Sequence, residues 1–165
     1  MNPATLAPGT GAEEAAVAEA GVAREGAEAG VARELVTRFY HRLWNEWDDA
    51  AVDDTLSADF LFRGSLGDQT RGRDGWRRYR DKVRSGSHDF HNEIVDLVAA
   101  GHRAAARLLY RGTHSGPLLG LEPTGRPFSY AGAAFFTVSR GRLAEAWVLG
   151  DLAALRAALT EPQRP

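Results

Sequence analysis

The apolar residues of this chain change period near residue 88, and that change limits the fold more than any other feature. Before it, Leu35, Phe39, Leu43 and Val36, Tyr40, Trp44 recur at helical spacing, which predicts an amphipathic helix to about Trp47. A second short helix is expected over Asp49–Ser57, then a short strand at Asp59–Phe62 and a Gly-rich loop over Gly64–Gly72. A third helix follows over Arg73–Arg84, with Trp76, Tyr79 and Val83 on its apolar side. After residue 88 the pattern alternates. Residues 88–99, 103–114, 127–139 and 142–150 read as strands, with tight turns at Gly101-His102 and Arg140-Gly141 and a longer Gly/Pro loop over 115–126. Asp151–Leu159 closes with a short helical segment. Helices first and an antiparallel meander second indicate an α+β fold with the helices on one face of the sheet.

Residues 1–30 stand apart. Ala, Gly and Glu dominate, no aromatic occurs before Phe39, and Gly21-Val22-Ala23-Arg24-Glu25 returns as Gly30-Val31-Ala32-Arg33-Glu34. Such a stretch buries too little apolar surface to offset backbone ordering, so a mobile tail is expected, tolerant of transient helix, with the domain over 31–165. The whole chain of 165 residues suits one domain. Its net charge of −2 offers no global field for nucleic acid or an anionic membrane. The absence of cysteine excludes disulfides, thiolate nucleophiles and cysteine-ligated zinc. No apolar run approaches the roughly 18 residues of a spanning helix, and no secretory signal is visible. A cytoplasmic location is the resulting expectation.

Three stretches, in this order, resemble the SnoaL-like polyketide cyclases of the nuclear transport factor two superfamily. They are Phe39-Tyr40 with Trp44-Asn45; Gly112-Thr113-His114-Ser115-Gly116 with Gly120 and Pro123-Thr124-Gly125-Arg126; and Gly141 to Trp147 followed by Asp151 and Leu155. The resemblance covers about Glu34–Leu159. It implies a cone-shaped, curved antiparallel sheet with three N-terminal helices on one face, enclosing a pocket. It also implies a cofactor-independent enzyme of lyase or isomerase type in antibiotic biosynthesis, closing a ring on a small hydrophobic polyketide-like substrate by an intramolecular aldol step. In that family an acidic residue at the end of the last strand acts as general acid/base, and the matching position is Asp151. One departure is the stretch Tyr130-Ala131-Gly132-Ala133-Ala134-Phe135-Phe136, almost wholly apolar where the cyclases can carry polar side chains.

Asp151 also stands out by pattern. Alternation groups it with Leu143, Glu145, Trp147 and Leu149, so an apolar pocket would raise its pKa towards a general base's range. Capping the helix of Leu152–Leu159 is an equally natural role for Asp, and the two are compatible. His114 has the parity of Leu108 and Tyr110; it either polarises a carbonyl, with Tyr110 as second donor, or shapes the Gly-rich loop. His91 either lines the cavity or is structural. The expected pocket wall comprises Phe39, Tyr40, Trp44, Phe60, Phe62, Tyr130, Phe136 and Trp147. No metal is expected, because His88 and His91 sit three apart on an alternating pattern that sends them to opposite faces. Arg73, Arg77, Arg80 and Arg84 form a stripe on the third helix, read as a solvated face. Other readings of the same pocket are epoxide opening or hydrolysis, assistance to hydroxylation, and non-catalytic binding of a small hydrophobic ligand. The strand over 127–139 is apolar on both faces, which points to a homodimer or higher homo-oligomer through the sheet.

Overall fold

A computed structural model describes residues 10–161. Helix α1 spans Thr10–Arg38 and continues into a π-helical turn, Phe39–Asn45, where the Glu46 N–H reaches back to the His41 carbonyl at 3.0 Å. Phe39, Tyr40, Leu43 and Trp44 all face inward from this turn. A 3-10 turn, Asp49–Ala51, and α2, Val52–Thr55, lead into β1, Leu56–Arg63. Then come β2 (Gln69–Arg71), α3 (Gly72–Gly86), β3 (His91–Ala100), β4 (Arg103–Thr113), β5 (Pro127–Ser139), β6 (Arg142–Gly150) and α4 (Leu152–Thr160). The sheet is curved and unclosed, in the order β2-β1-β6-β5-β4-β3, with helices packed on one side.

The meander β3-β4-β5-β6 is antiparallel as expected, with a tight β5–β6 turn in which Arg140 and Gly141 both have positive φ, 50° and 71°. That pair of signs defines the hairpin turn whose twist matches the strands. Two details differ from the sequence reading. The chain is already extended at Leu56, and β1 joins the sheet parallel to β6, so the sheet is mixed rather than purely antiparallel. The expected loop over Gly64–Gly72 also contains β2, which pairs with β1.

The helical state of residues 10–30 is continuous with α1, where the sequence suggested an unanchored tail. Burial changes along it: residues 11–27 are exposed, and Ala32 is the first buried side chain among the described residues. An Ala/Glu-rich segment has the propensity to propagate a helix already nucleated by packing further along. Residues 1–9 lie outside the described chain.

The core is aromatic. Phe39 sits at its centre, with ring centroids of Tyr40, Trp44, Phe60, Phe62, Trp76 and Phe136 all within 5.1–6.3 Å. The arginine stripe on α3 is largely consumed by neighbouring carboxylates. Arg73 and Arg77 reach Asp53, and Arg80, buried between the rings of Trp47 and Trp76, pairs with Asp49 at 2.8 Å. Among the described residues, no helix is long and apolar enough to cross a membrane.

Candidate functional site

The concave side of the sheet and the inner faces of the π turn and α3 enclose one narrow cavity. It is lined by Phe39, Tyr40, Trp44, Phe62, Ser65, Tyr79, Val83, Phe90, Asn92, Tyr110 and Val148. Cavity and mouth together, with the open solvent they take in, comprise about 290 Å³. The space open to the centre of a water molecule is only about 20 Å³, room for roughly one water. A ligand larger than that enters only if wall or mouth side chains move.

The strand register builds the polar part of the wall. Asn92 on β3 pairs with Tyr110 on β4, and Tyr110 pairs with Tyr130 on β5, so the three form a row on the inner face. The Tyr110 and Tyr130 rings lie 4.8 Å apart. The Tyr40 and Tyr110 hydroxyls are buried without a hydrogen-bond partner of good geometry. Burial pushes both phenols, and that of Tyr130, far above the usual value, and the Tyr79 phenol upward as well. These groups are neutral at any physiological pH. They can donate hydrogen bonds to a carbonyl or enolate but cannot act as bases. Among the described residues, the cavity lining contains no carboxylate, imidazole, ammonium or guanidinium.

The mouth is crossed by the β1–β2 loop. The Leu66 N–H donates to the Tyr79 hydroxyl at 3.2 Å, and Ser65 Oγ lies 3.4 Å from the Tyr130 hydroxyl. Gly64 packs flat against Tyr79, since a Cβ there would fall 2.0 Å from the ring.

The expected site residues divide into three groups. Phe39, Tyr40, Trp44, Phe62 and Tyr110 line the cavity. Phe60, Tyr130 and Phe136 are buried directly behind it, Phe60 stacked on Phe62 and Phe136 against Phe39. Trp147, His91, His114 and Asp151 do not line it.

Trp147 and Asp151 do share a face, but it is the outer one. A bulge shifts the β5–β6 register, pairing Thr137 with Glu145 but Val138 with Leu143, which leaves Ala144 extra. Leu143 therefore points inward while Glu145, Trp147, Leu149 and Asp151 are exposed. Gly150 confirms the parity, because a Cβ there would lie 2.9 Å from the Tyr130 ring, inside the cone. Asp151 is not in an apolar pocket. It is the N-cap of α4, accepting the Ala154 N–H at 2.9 Å.

His114 is fully buried beyond the end of β4. The Thr124 N–H donates to its Nδ1 at 3.2 Å, which leaves the ring proton on Nε2 and ties the two ends of the 115–126 loop together. His91 is exposed on β3. His88 lies in the turn before that strand, beside Ser115 Oγ.

Ser65, Tyr79, Val83, Phe90, Asn92 and Val148 belong to the wall without having been singled out from sequence. Tyr79 and Val83 were visible as the apolar side of α3. Asn92 was hidden by a second bulge: the register of β3 against β4 shifts between Ile94 and Asp96, which brings Asn92 rather than Glu93 opposite Tyr110.

A curved, unclosed sheet with helices packed on one side, holding an aromatic cavity between them, is the architecture of SnoaL-like proteins. The SnoaL-like polyketide cyclase model matches residues 34–159, and the chain belongs to that family. Solved structures of similar fold include a SnoaL-like polyketide cyclase candidate from Jannaschia sp. CCS1, at TM-score 0.75 and 19% identity over 82% of this chain and 96% of that one. IdmH from Streptomyces antibioticus, a proposed polyketide cyclase, gives TM-score 0.69 and 26% identity over 78% and 97%. TsrD from Streptomyces laurentii gives 0.70 and 28% over 81% and 97%. No curated protein sequence matches the chain.

Proposed function

We propose that the chain is a cofactor-independent cyclase acting on a largely apolar, carbonyl-bearing polyketide-like substrate held in the aromatic cavity. The observation that carries this reading is the pair of neutral, buried hydroxyls of Tyr40 and Tyr110, set against each other in a wall that, among the described residues, has no charged group. A substrate carbonyl placed against them accepts hydrogen bonds that strengthen as negative charge builds on its oxygen. The low-dielectric surroundings increase that effect. The aromatic walls supply orientation, which accounts for much of the rate in an intramolecular ring closure.

No wall residue can take the proton next to the carbonyl, so in this reading solvent water accepts it and a proton from water returns to the new alkoxide. A second reading assigns proton removal to Asp151 as general base in an aldol closure. It is favoured by the position of Asp151, one residue beyond Gly150, which abuts Tyr130 and the lining residue Ser65, and by its carboxylate Oδ2, which takes no part in the cap. In this reading the side chain leaves Ala154 and turns inward when substrate binds. Turnover of Tyr110→Phe set beside that of Asp151→Asn separates the two.

A further inference from the structure

Asn92 is one of the few buried polar side chains, 2% exposed, and it is the only carboxamide in the cavity wall. Its neighbour Asn45, the last residue of the π turn, holds it in one orientation. The Asn45 side chain behaves as a surrogate strand: its Nδ2 donates to the Asn92 carbonyl at 2.8 Å, and its Oδ1 accepts the Asn92 backbone N–H at 2.8 Å. A backbone N–H only donates and a backbone carbonyl only accepts, so the amide of Asn45 cannot be reversed.

That settles Asn92 in turn. The atom of its carboxamide lying 3.3 Å from Asn45 Oδ1 must be the donor Nδ2. Oδ1 is then on the other branch of the amide, and it makes no hydrogen bond within the described residues. The same π turn carries Tyr40, and the partner of Asn92 across the sheet is Tyr110. The cavity thus sets one obligatory acceptor beside the phenolic pair of Tyr40 and Tyr110.

We infer that Asn92, positioned by Asn45, is a specificity-determining residue that selects ligands carrying a hydroxyl or enol donor in addition to a carbonyl. The inference rests on the cavity being the ligand site. A ligand with a carbonyl alone satisfies the tyrosines and leaves Asn92 Oδ1 desolvated without a donor. A ligand with a hydroxyl satisfies both. A carboxylate or ammonium is disfavoured because no counter-charge lines the wall.

The experiment is calorimetric titration of the full chain with 4-hydroxyacetophenone and with 4-methylacetophenone, which differ by one donor at nearly constant shape. Wild type should prefer the hydroxyl compound by about tenfold, the scale of one net hydrogen bond plus relief of one unsatisfied acceptor. Asn92→Leu should reverse the preference in favour of the methyl compound. Tyr110→Phe should weaken both compounds alike and keep the preference. Asn45→Ala, which leaves Asn92 in place but frees its amide, should shrink the preference, and it keeps the inference testable where Asn92→Leu fails to fold. Equal binding of the two compounds to wild type, or a hydroxyl preference retained in Asn92→Leu, overturns the role of Asn92 while leaving the cavity as the ligand site. Binding of neither compound overturns both.

Discussion

The Asp151 carboxylate accepts the Ala154 amide hydrogen at 2.9 Å, which commits that side chain to the start of α4 on the outside of the cone. Replacing it by Ala should cost about 1 kcal/mol of stability through loss of the cap, and Asn should cost much less, because its carbonyl oxygen can take the same bond. Urea unfolding of the two variants beside wild type measures this. Equal stability of Asp151→Ala and wild type contradicts the cap.

Alkaline unfolding should be steep. All four tyrosines of the chain, Tyr40, Tyr79, Tyr110 and Tyr130, are buried, and burial raises each phenol above its ordinary value. Above about pH 10 the unfolded chain releases these protons while the folded chain keeps them, so stability present below that pH is lost as pH rises. Each tyrosine contributes up to about 1.4 kcal/mol per pH unit. Absorbance at 295 nm should show no phenolate until the fold is lost. Reversible tyrosine titration in the native state would refute the closed cavity.

Gly132→Ala should destabilise by about 1–3 kcal/mol, the usual range for overpacking. A Cβ there would lie 2.3 Å from the Tyr110 ring and 2.8 Å from the Leu149 carbonyl, and the backbone contact has no slack. Denaturant unfolding reads the loss. An unchanged midpoint would mean that Tyr110 is free to swing away from its place in the cavity wall.

How much of this was legible in the sequence depends on where the strands bulge. The helix containing Phe39, Tyr40 and Trp44, the four long strands and both hairpin turns follow from period and turn chemistry. So do Phe62 and Tyr110 of the cavity wall, though not Phe90. Alternation also grouped Trp147 with Asp151 correctly. It failed at the step from grouping to facing, because the extra residue Ala144 separates Leu143 from that set, and one residue reverses every side chain beyond it. The same cause hid Asn92 behind the irregularity near Val95. Parallel pairing of β1 with β6 was not legible either, since it joins segments about 85 residues apart and leaves no local pattern.

Deleting residues 1–26 should leave the thermal midpoint within about 2 °C of wild type, since the described side chains there are exposed and the first core residue is Ala32. A larger fall would show that this part of α1 packs on something in solution.

The outer face of the sheet should form a homodimer interface. Phe135, 53% exposed, lies 6.0 Å from Trp147, and Val98 and Leu149 extend the apolar patch. A carboxylate at its centre, Phe135→Glu, should convert dimer to monomer in sedimentation without loss of fold. A wild-type monomer at every concentration contradicts it.

Neutral donors in the cavity supply the rate in the proposed reaction, and turnover of Tyr110→Phe measured beside that of Asp151→Asn distinguishes them from a general base. On any substrate that the wild type cyclises, Tyr110→Phe should lower turnover by about 10²-fold, the scale of one lost donor to a developing oxyanion. Asp151→Asn, which preserves the cap, should stay within a few-fold of wild type. A fall of roughly 10²–10⁴-fold in folded Asp151→Asn, with Tyr110→Phe near wild type, would contradict the account and make Asp151 the general base.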